Sequence, residues 1–205
     1  VSLSSEDLER SSRALKLKEQ REFKTSFSRI DDFLEAIQVR LTFSKLNSEN
    51  LDRVVQLFQK TNQFNLTTRR HREDDLKQLE RNGGQIYSIS YEDTFGSQGI
   101  ISVIALVQKP DALFIESWLM SCRVLNRTVE QAVFEFILKK ANGKQVNGEY
   151  IPTEKNGLVQ SLFKTLGFEK NISDRENNPA KDNWIYANYD LKDSSVKHYA
   201  SIKEV

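Results

Sequence analysis

The organisation of this chain follows from the stretch Trp118-Leu119-Met120-Ser121-Cys122-Arg123-Val124-Leu125-Asn126-Arg127-Thr128-Val129-Glu130. An apolar run leads through a polar turn into a helical pattern. A strand that ends in a short polar loop before a helix presents free backbone N–H groups and the positive end of the helix dipole. The stretch therefore predicts an anion site after a buried strand, to which Arg123 and Arg127 add charge. It also holds the only cysteine, Cys122.

Strand patterns lie on both sides of this stretch. Residues 85–91, 99–108 and 112–121 predict a three-stranded antiparallel meander with a hairpin turn at 93–98. After the stretch, apolar positions from Val129 to Ile137 line one face of a helix that ends near Asn142-Gly143. A strand over 144–150, a helix over 156–168 and a strand over 184–190 follow, with a polar loop at 171–183. This order predicts a mixed α/β sheet in one domain.

The first part of the chain differs in composition, because residues 1–82 contain neither Gly nor Pro, the residues that most often interrupt helices. This absence favours helices with short polar joints. We expect an exposed helix up to about residue 24, a short helix near residues 32–37, a strand over 39–43 and a core-facing helix from residue 51. We divide the chain into a helical connector at 1–37, one domain at 38–192 and a flexible tail at 193–205.

Composition narrows the function. The charges of the 205 residues cancel to +1, so we expect neither a nucleic acid nor a membrane as partner. The longest apolar run is far shorter than the roughly 18 residues that span a bilayer. One cysteine and two histidines predict no internal disulfide and no metal site, and they fit a cytoplasmic protein.

Two side chains near the opening stretch are candidates for catalysis, each with two interpretations. Cys122, next to Arg123 and before a helix, is either an activated nucleophile or a small buried side chain at a strand end. Glu116 is either a general base or a solvent-facing strand residue. Trp118, Leu119 and Met120 are interpreted as core.

Two polar segments precede the meander. The loop side chains Asn62, Gln63, Phe64 and Asn65 either bind a substrate or satisfy buried backbone groups, and we favour binding. The basic run Arg69-Arg70-His71-Arg72 is either functional or a solvated helix entry, and we favour the second, because acidic residues follow it directly.

The order of elements resembles the fold of Gcn5-related N-acetyltransferases (GNAT), a mixed, mostly antiparallel sheet flanked by helices, here with an N-terminal helical extension. The segment Leu162-Phe163-Lys164-Thr165-Leu166-Gly167-Phe168, headed by Asn156, resembles the family's Asn…Phe-Tyr-x-x-x-Gly-Phe signature. Residues Arg123, Val124, Leu125, Asn126, Arg127 and Thr128 lie where the family has Arg/Gln-x-x-Gly-x-Gly/Ala. The resemblance implies that these six residues bind the pyrophosphate of acyl-coenzyme A.

Two longer stretches resemble the C-terminal GNAT-like region of FkbH-like proteins. They are Lys60-Thr61-Asn62-Gln63-Phe64-Asn65-Leu66-Thr67-Thr68-Arg69-Arg70 and Ser117-Trp118-Leu119-Met120-Ser121-Cys122-Arg123-Val124-Leu125. This resemblance implies work on an acyl, glyceryl-like group carried as a thioester on coenzyme A or on the phosphopantetheine of an acyl carrier protein. It also implies an N-terminal haloacid-dehalogenase-like (HAD-like) phosphatase domain as partner, to which the first helix connects.

The chain departs from the GNAT pattern at two places. Asn126 and Thr128 replace glycines, and side chains there obstruct close approach of the backbone to a phosphate. Phe163 replaces a tyrosine acid and has no proton to donate. Despite these departures, the resemblance implies an acyltransferase-type domain, in which we expect Cys122 and Glu116 to be the catalytic residues. The alternative is a non-catalytic GNAT-like module that docks a carrier protein or the phosphatase domain.

Overall fold

The computed structural model describes residues 18–20, 22–171, 181–187 and 197–205. The helices are α1 (Ile30–Ala36), α2 (Leu51–Lys60), α3 (Glu73–Arg81), α4 (Val129–Ala141) and α5 (Leu162–Thr165). The strands are β1 (Arg40–Lys45), β2 (Gly84–Asp93), β3 (Gly96–Gln108), β4 (Ala112–Met120), β5 (Gln145–Tyr150), β6 (Glu169–Lys170), β7 (Asp182–Tyr186) and β8 (Ser201–Glu204). Two 3₁₀ turns lie at Cys122–Val124 and Gly157–Val159.

All eight strands belong to one sheet, in the order β6-β7-β5-β4-β3-β2-β1-β8. The pairs β4/β5 and β1/β8 are parallel, and the other pairs are antiparallel. The predicted mixed, mostly antiparallel sheet and its β2-β3-β4 meander are therefore confirmed. Neighbouring strand residues such as Val103 and Ile104 belong to different core clusters, because successive side chains point to opposite faces. One cluster contains α2 and α3, and the other contains α1, α4 and α5.

The parallel strands β4 and β5 pair only from Ala112↔Gln145 to Ile115↔Gly148. Beyond this point residues 64–66, called the wedge segment here, lie against β4. The Leu66 N–H donates to the Trp118 carbonyl (3.2 Å), and the Met120 N–H donates to the Phe64 carbonyl (3.0 Å). The Leu66 carbonyl accepts from Ile151, the residue after β5 (2.9 Å). The wedge segment thus bonds to both sides of the opening and supplies partners that the parted strands no longer give each other.

Asn156 holds the wedge segment in place. It is fully buried, and its Nδ2 donates to the carbonyls of Asn65 (3.0 Å) and Ile151 (2.9 Å). Its Oδ1 accepts from the Thr153 N–H (2.8 Å) and the Tyr150 hydroxyl (3.3 Å). These bonds hold the chain in a tight turn after β5, so the continuous helix predicted over 156–168 is instead a 3₁₀ turn followed by the short α5.

Two predicted domain boundaries are wrong in the described residues. The predicted tail contains β8, which pairs in parallel with β1, because the chain returns to that open sheet edge. The predicted connector contains α1, whose Phe33 and Leu34 are buried in the core. Most of the first predicted helix, much of the loop at 171–183 and the end of the strand predicted over 184–190 lie outside the described residues. Within the described ranges, no helix is long and apolar enough to cross a membrane.

Gly148 is required by the packing of Phe163. A Cβ added at Gly148 lies 2.3 Å from Phe163 Cζ, which is the ring atom that would carry the hydroxyl of a tyrosine. Phe163 is buried and contacts Phe168 with ring centroids 4.7 Å apart, so its ring cannot move away freely. The position thus holds a core phenyl ring whose tip touches β5.

We expect Gly148→Ala to lower the free energy of unfolding by about 2 to 3 kcal/mol through this overpacking. Gly157→Ala is the matched control, since an added Cβ meets nothing within 4 Å there, and it should change stability by less than about 0.5 kcal/mol. Urea unfolding at pH 7 measures both. Equal effects of the two substitutions would contradict the close Phe163 contact.

Candidate functional site

A β-bulge in β4 positions Glu116. Ser117 pairs with Ala105 and Ile115 pairs with Leu106, so Glu116 is the extra residue between them. A bulged residue leaves the hydrogen-bond ladder and its side chain is re-aimed. The Glu116 carbonyl accepts instead from the Arg69 guanidinium. The bulge thus brings both the backbone and the side chain of Glu116 to the segment that follows the wedge.

The Glu116 carboxylate is held by three side chains. His71 Nε2 lies 3.1 Å from both carboxylate oxygens, and the Ser117 hydroxyl donates to Oε2 at 2.6 Å. Arg69 Nε lies 3.3 Å from Oε1. Burial raises the pKa of Glu116, but hydrogen bonds from His71 and Ser117 and the charges of His71 and Arg69 outweigh burial and hold it below its usual value. Glu116 is therefore an ionised, fully bonded carboxylate and a weak proton acceptor.

A second carboxylate completes this arrangement. Glu149 follows Gly148 at the point where β5 leaves β4, and its side chain is only 7% exposed. Arg69 Nη2 lies 2.5 Å from Glu149 Oε2, and Lys181 bonds the other oxygen. Arg69 thus joins the two strands where they part. We call Arg69, His71, Glu116, Glu149 and Lys181 the charge cluster.

The interpretation of the basic run as a solvated helix entry is wrong for Arg69 and His71, because strand carboxylates hold both. Arg70 caps the end of α2, and its Nη1 donates to the carbonyls of Phe58 (2.6 Å) and Thr61 (2.8 Å).

His71 is the residue that sequence reasoning missed. Its ring contacts Phe58 edge-on, with centroids 5.0 Å apart, and its Nε2 faces Glu116. The sequence contains a signal in the basic run, but it cannot show that residue 71 lies opposite residue 116.

Cys122 lies elsewhere, in a cleft of about 740 Å³. Its thiol is free and the residue is exposed at the start of a 3₁₀ turn, so the interpretation as a buried side chain is wrong. The strand ends at Met120, and Cys122 is carried outward with the turn. The cleft is lined by Arg53, Gln56, Leu57, Lys60, Thr61, Asn62, Gln63, Phe64, Met120, Ser121, Cys122, Glu154 and Lys155.

Three of the four predicted substrate-binding residues line this cleft, namely Asn62, Gln63 and Phe64. Asn65 does not, because it is fully buried, accepts from the Thr68 N–H (2.8 Å) and contacts the Thr61 carbonyl (3.4 Å). For Asn65, the alternative that a loop amide satisfies buried backbone groups is therefore correct.

The two predicted catalytic residues do not meet. Glu116 and Cys122 are separated by six positions along a strand and its extension, or roughly 15 to 20 Å at about 3.3 Å per residue. Glu116 is absent from the lining of the Cys122 cleft. The side chains cannot act on one carbonyl carbon, so the charge cluster and the cleft are separate candidate centres.

The loop after Cys122 adopts a glycine-like backbone with side chains in place. Asn126 and Thr128 have φ values of 61° and 56°, both in the left-handed region. For a β-branched residue such as Thr128 this conformation is strained. Arg123 is exposed and its Nε bonds the Ser121 hydroxyl at 3.1 Å, whereas Val124 is buried in the core. Asn126 and Thr128, whose side chains are predicted to obstruct a phosphate, thus have the backbone conformation that glycine favours.

Arg127 is paired within the protein. Its Nη1 lies 2.6 Å from the carboxylate of Asp93, which has no exposed surface, and 2.6 Å from the Tyr91 hydroxyl. Glu130 places a carboxyl in the first turn of α4. Burial raises the pKa of this carboxyl, and the hydrogen bond from its own backbone N–H offsets only part of that effect. The pairing with Asp93 neutralises part of the charge that binding of pyrophosphate would use, so this role of Arg127 stays a prediction, and a neighbouring acid lies at the helix N-terminus.

In the part of the chain that the structure describes, no three His, Cys, Asp or Glu side chains are grouped to hold a metal ion.

No protein-family model matches the chain, and no curated protein matches its sequence. Solved structures do match its fold. A GNAT-family acetyltransferase from Staphylococcus aureus Mu50 has a TM-score of 0.51 at 15% identity, covering 71% of this chain and 97% of that one. The GNAT domain of S. lividans PAT has a TM-score of 0.51 at 12% identity, and the match covers 70% of this chain and 88% of that domain. The ribosomal-protein-S18-alanine N-acetyltransferase from Escherichia coli has a TM-score of 0.50 at 11% identity, and the match covers 71% of this chain and 90% of that enzyme. The chain thus has a GNAT-type fold, and this part of the resemblance is confirmed.

The charge cluster predicts a pH-dependent contribution to stability. Since the pKa of Glu116 in the folded chain lies below its ordinary value of 4.5, the ionised carboxylate stabilises the fold above that pH, and the contribution is lost as the pH falls through the folded value. We expect Glu116→Gln to lower the free energy of unfolding by about 2 kcal/mol at pH 7, because it leaves Arg69 and His71 without their carboxylate.

Urea unfolding from pH 7 down to pH 3.5 measures this contribution, and the gap between wild type and Glu116→Gln should narrow below pH 4.5. Glu92→Gln is the control, because Glu92 pairs with Arg40 at 3.0 Å on the exposed surface. It should cost less than about 0.5 kcal/mol. A gap for Glu116→Gln that is the same at every pH would contradict the role of its charge.

Proposed function

We propose that this chain is the acyltransferase-type domain of an FkbH-like biosynthetic protein. It handles an acyl, glyceryl-like group as a thioester on coenzyme A or an acyl carrier protein. The observation that carries the proposal is the cleft at the end of β4, where an exposed thiol lies with polar amides in a GNAT-type fold. The two long stretches that resemble FkbH-like proteins meet there, since Asn65 in the first bridges Leu119 in the second.

Cys122 is the nucleophile of the proposed reaction. Its sulfur attacks the carbonyl carbon of the incoming thioester, a new C–S bond forms and the bond to the carrier sulfur breaks. The proton of the Cys122 thiol ends on the released carrier thiol. The acyl group then passes from Cys122 to the acceptor thiol by the same exchange, so each step converts one thioester and one thiol into another such pair.

The loop before the wedge segment orients the acyl group. The Oδ1 of Asn62 accepts from Arg70, while its Nδ2 has no hydrogen-bond partner among the described residues. Gln63 is exposed on the same loop, and Phe64 supplies a buried apolar wall. Amide groups that donate and accept suit the hydroxyl groups of a glyceryl unit. In this proposal the partners are an acyl carrier protein and a HAD-like phosphatase domain, and the setting is the cytoplasm.

The second candidate function is a non-catalytic module that docks a carrier protein or the phosphatase domain. The wedge segment favours it, because it occupies backbone groups of β4 that a bound ligand could otherwise use. Two further observations agree with it: Glu116 is held by three side chains, and Arg127 is held by Asp93. A domain with this fold can lose turnover and keep its binding surface.

Intact-mass spectrometry tests the thiol. After mixing with coenzyme A thioesters or acyl-loaded carrier protein, the wild-type chain should gain the mass of one acyl group, and Cys122→Ala should gain none. Cys122→Ser keeps the side-chain size and should accumulate the adduct far more slowly, because a hydroxyl is a weaker nucleophile without a base. An adduct that persists in Cys122→Ala would exclude Cys122 as the acyl carrier.

Calorimetry separates the two candidate functions. The acyltransferase should bind an acyl-loaded carrier protein and release the acyl group, which mass spectrometry of the carrier reports. A docking module should bind the loaded and unloaded carrier equally, with no acyl release. Absence of binding to both carrier forms and to coenzyme A thioesters would refute the acyltransferase and the docking of a carrier protein. Absence of binding to the phosphatase domain as well would refute the docking module.

A further inference from the structure

The cleft beside Cys122 has more positive charge than thioester exchange requires. Its lining contains the cations Arg53, Lys60 and Lys155 and one carboxylate, Glu154. The whole chain is nearly neutral, at +1. The excess is therefore a local property of this surface and not a consequence of composition.

The lining of the cleft contains two lysines, Lys60 and Lys155. The side chains of Lys60 and Lys155 are exposed and pair with no acid among the described residues. Other lysines on helices do, such as Lys77 with Glu73 and Lys139 with Glu135. Ammonium groups left without an acid in a concave surface keep their charge available to an anionic ligand.

Arg53 adds to this charge from the wall of α2. Its guanidinium is held by the Gln56 side chain and by the Ile100 carbonyl (3.4 Å). Burial and the charge of nearby Arg123 lower the pKa of Arg53. Arg123 lies beside the cleft, because its Nε bonds the hydroxyl of Ser121, which is in the lining, and its charge adds to the positive field there.

The loop that would hold pyrophosphate has less free charge, because of its two arginines only Arg123 pairs with no acid among the described residues. Its Arg127 is committed to buried Asp93, and Glu130 lies in the first turn of the following helix. Asn126 and Thr128 carry side chains where close approach of a phosphate needs glycine. Most of the free positive charge thus lies in the cleft and not in the loop.

We propose that the cleft binds the single phosphate of a phosphopantetheine arm through Lys60 and Lys155, and that it favours this arm over coenzyme A. This deepens the proposed function and rests on it, because the thiol end of the same arm would reach Cys122. Lys60 and Lys155 pair with the phosphate oxygens, and Arg53 contributes through its field. In the loop, Arg127 is already paired, so the second phosphate and the nucleotide of coenzyme A gain little beyond a contact with Arg123.

Binding of unacylated compounds to the full chain tests the inference without requiring turnover. Calorimetry compares 4′-phosphopantetheine, pantetheine and coenzyme A. We expect 4′-phosphopantetheine to bind at least about tenfold more tightly than pantetheine, and coenzyme A to bind no more tightly than 4′-phosphopantetheine.

Lysine variants locate the phosphate. Lys60→Ala and Lys155→Ala should each weaken 4′-phosphopantetheine about threefold to fivefold and leave pantetheine unchanged. Lys77→Ala is the matched control, because its ammonium pairs with Glu73 outside the cleft. It should leave both affinities unchanged.

Three results would overturn the inference: equal affinity for pantetheine and 4′-phosphopantetheine, no effect of either cleft lysine, or coenzyme A binding more than about tenfold more tightly than 4′-phosphopantetheine. The last would assign the phosphate site to the loop at residues 123–128. Failure of all three compounds to bind would count against the proposed function itself, and the inference would fall with it.

Discussion

The bonding of the wedge segment between β4 and β5 is the interaction on which the rest of the site depends. Two parallel strands that part leave backbone N–H and C=O groups without partners, and burying such groups unpaired costs free energy. Residues 64–66 meet this need with bonds to Trp118, Met120 and Ile151. Asn156 donates to the Asn65 carbonyl of this segment and has three further hydrogen bonds, to Tyr150, Ile151 and Thr153. The position of the wedge thus determines where an open surface remains.

The wedge separates two kinds of chemistry along β4. On one side, Arg69 joins Glu116 and Glu149, so the charges there are neutralised within the protein. On the other side, the chain leaves the strand at Ser121 and exposes a thiol among unpaired cations. The first region stabilises the junction of two strands, and in the proposed function the second presents charge and a nucleophile to a ligand. A single backbone segment accounts for both outcomes.

In the loop from residue 123 to residue 128, side chains other than glycine lie on a backbone shape that glycine favours. Asn126 and Thr128 keep left-handed conformations that glycine adopts without strain. Arg127, meanwhile, turns to Asp93 and Tyr91 and fixes the loop to the end of β2. The loop therefore has a glycine-like geometry, and the charge of its Arg127 is paired within the protein. For this reason the cations of the cleft are assigned to the phosphate in the proposed binding.

Local pattern determined most of the fold. The apolar stripe of α4 and the alternation in β2, β3 and β4 are properties of neighbouring residues, and so the sequence predicted the mixed sheet. The side-chain types of Asn62, Gln63 and Phe64 suggested a binding loop, and these residues line the cleft. Nothing local places β8 beside β1, and nothing local predicts an Asn156 clamp that interrupts a helix.

By itself, the sequence determined which residues carry chemistry: one thiol, one amide-rich loop and one basic run. Only the tertiary structure decided how they are used. The β4 bulge and the register of the sheet bring Glu116 to His71, 45 residues away in sequence, and the length of β4 keeps Glu116 from Cys122. The physical reason is that such contacts depend on strand pairing and on the satisfaction of buried backbone groups, which sum over distant parts of the chain and leave no periodic trace in any one of them.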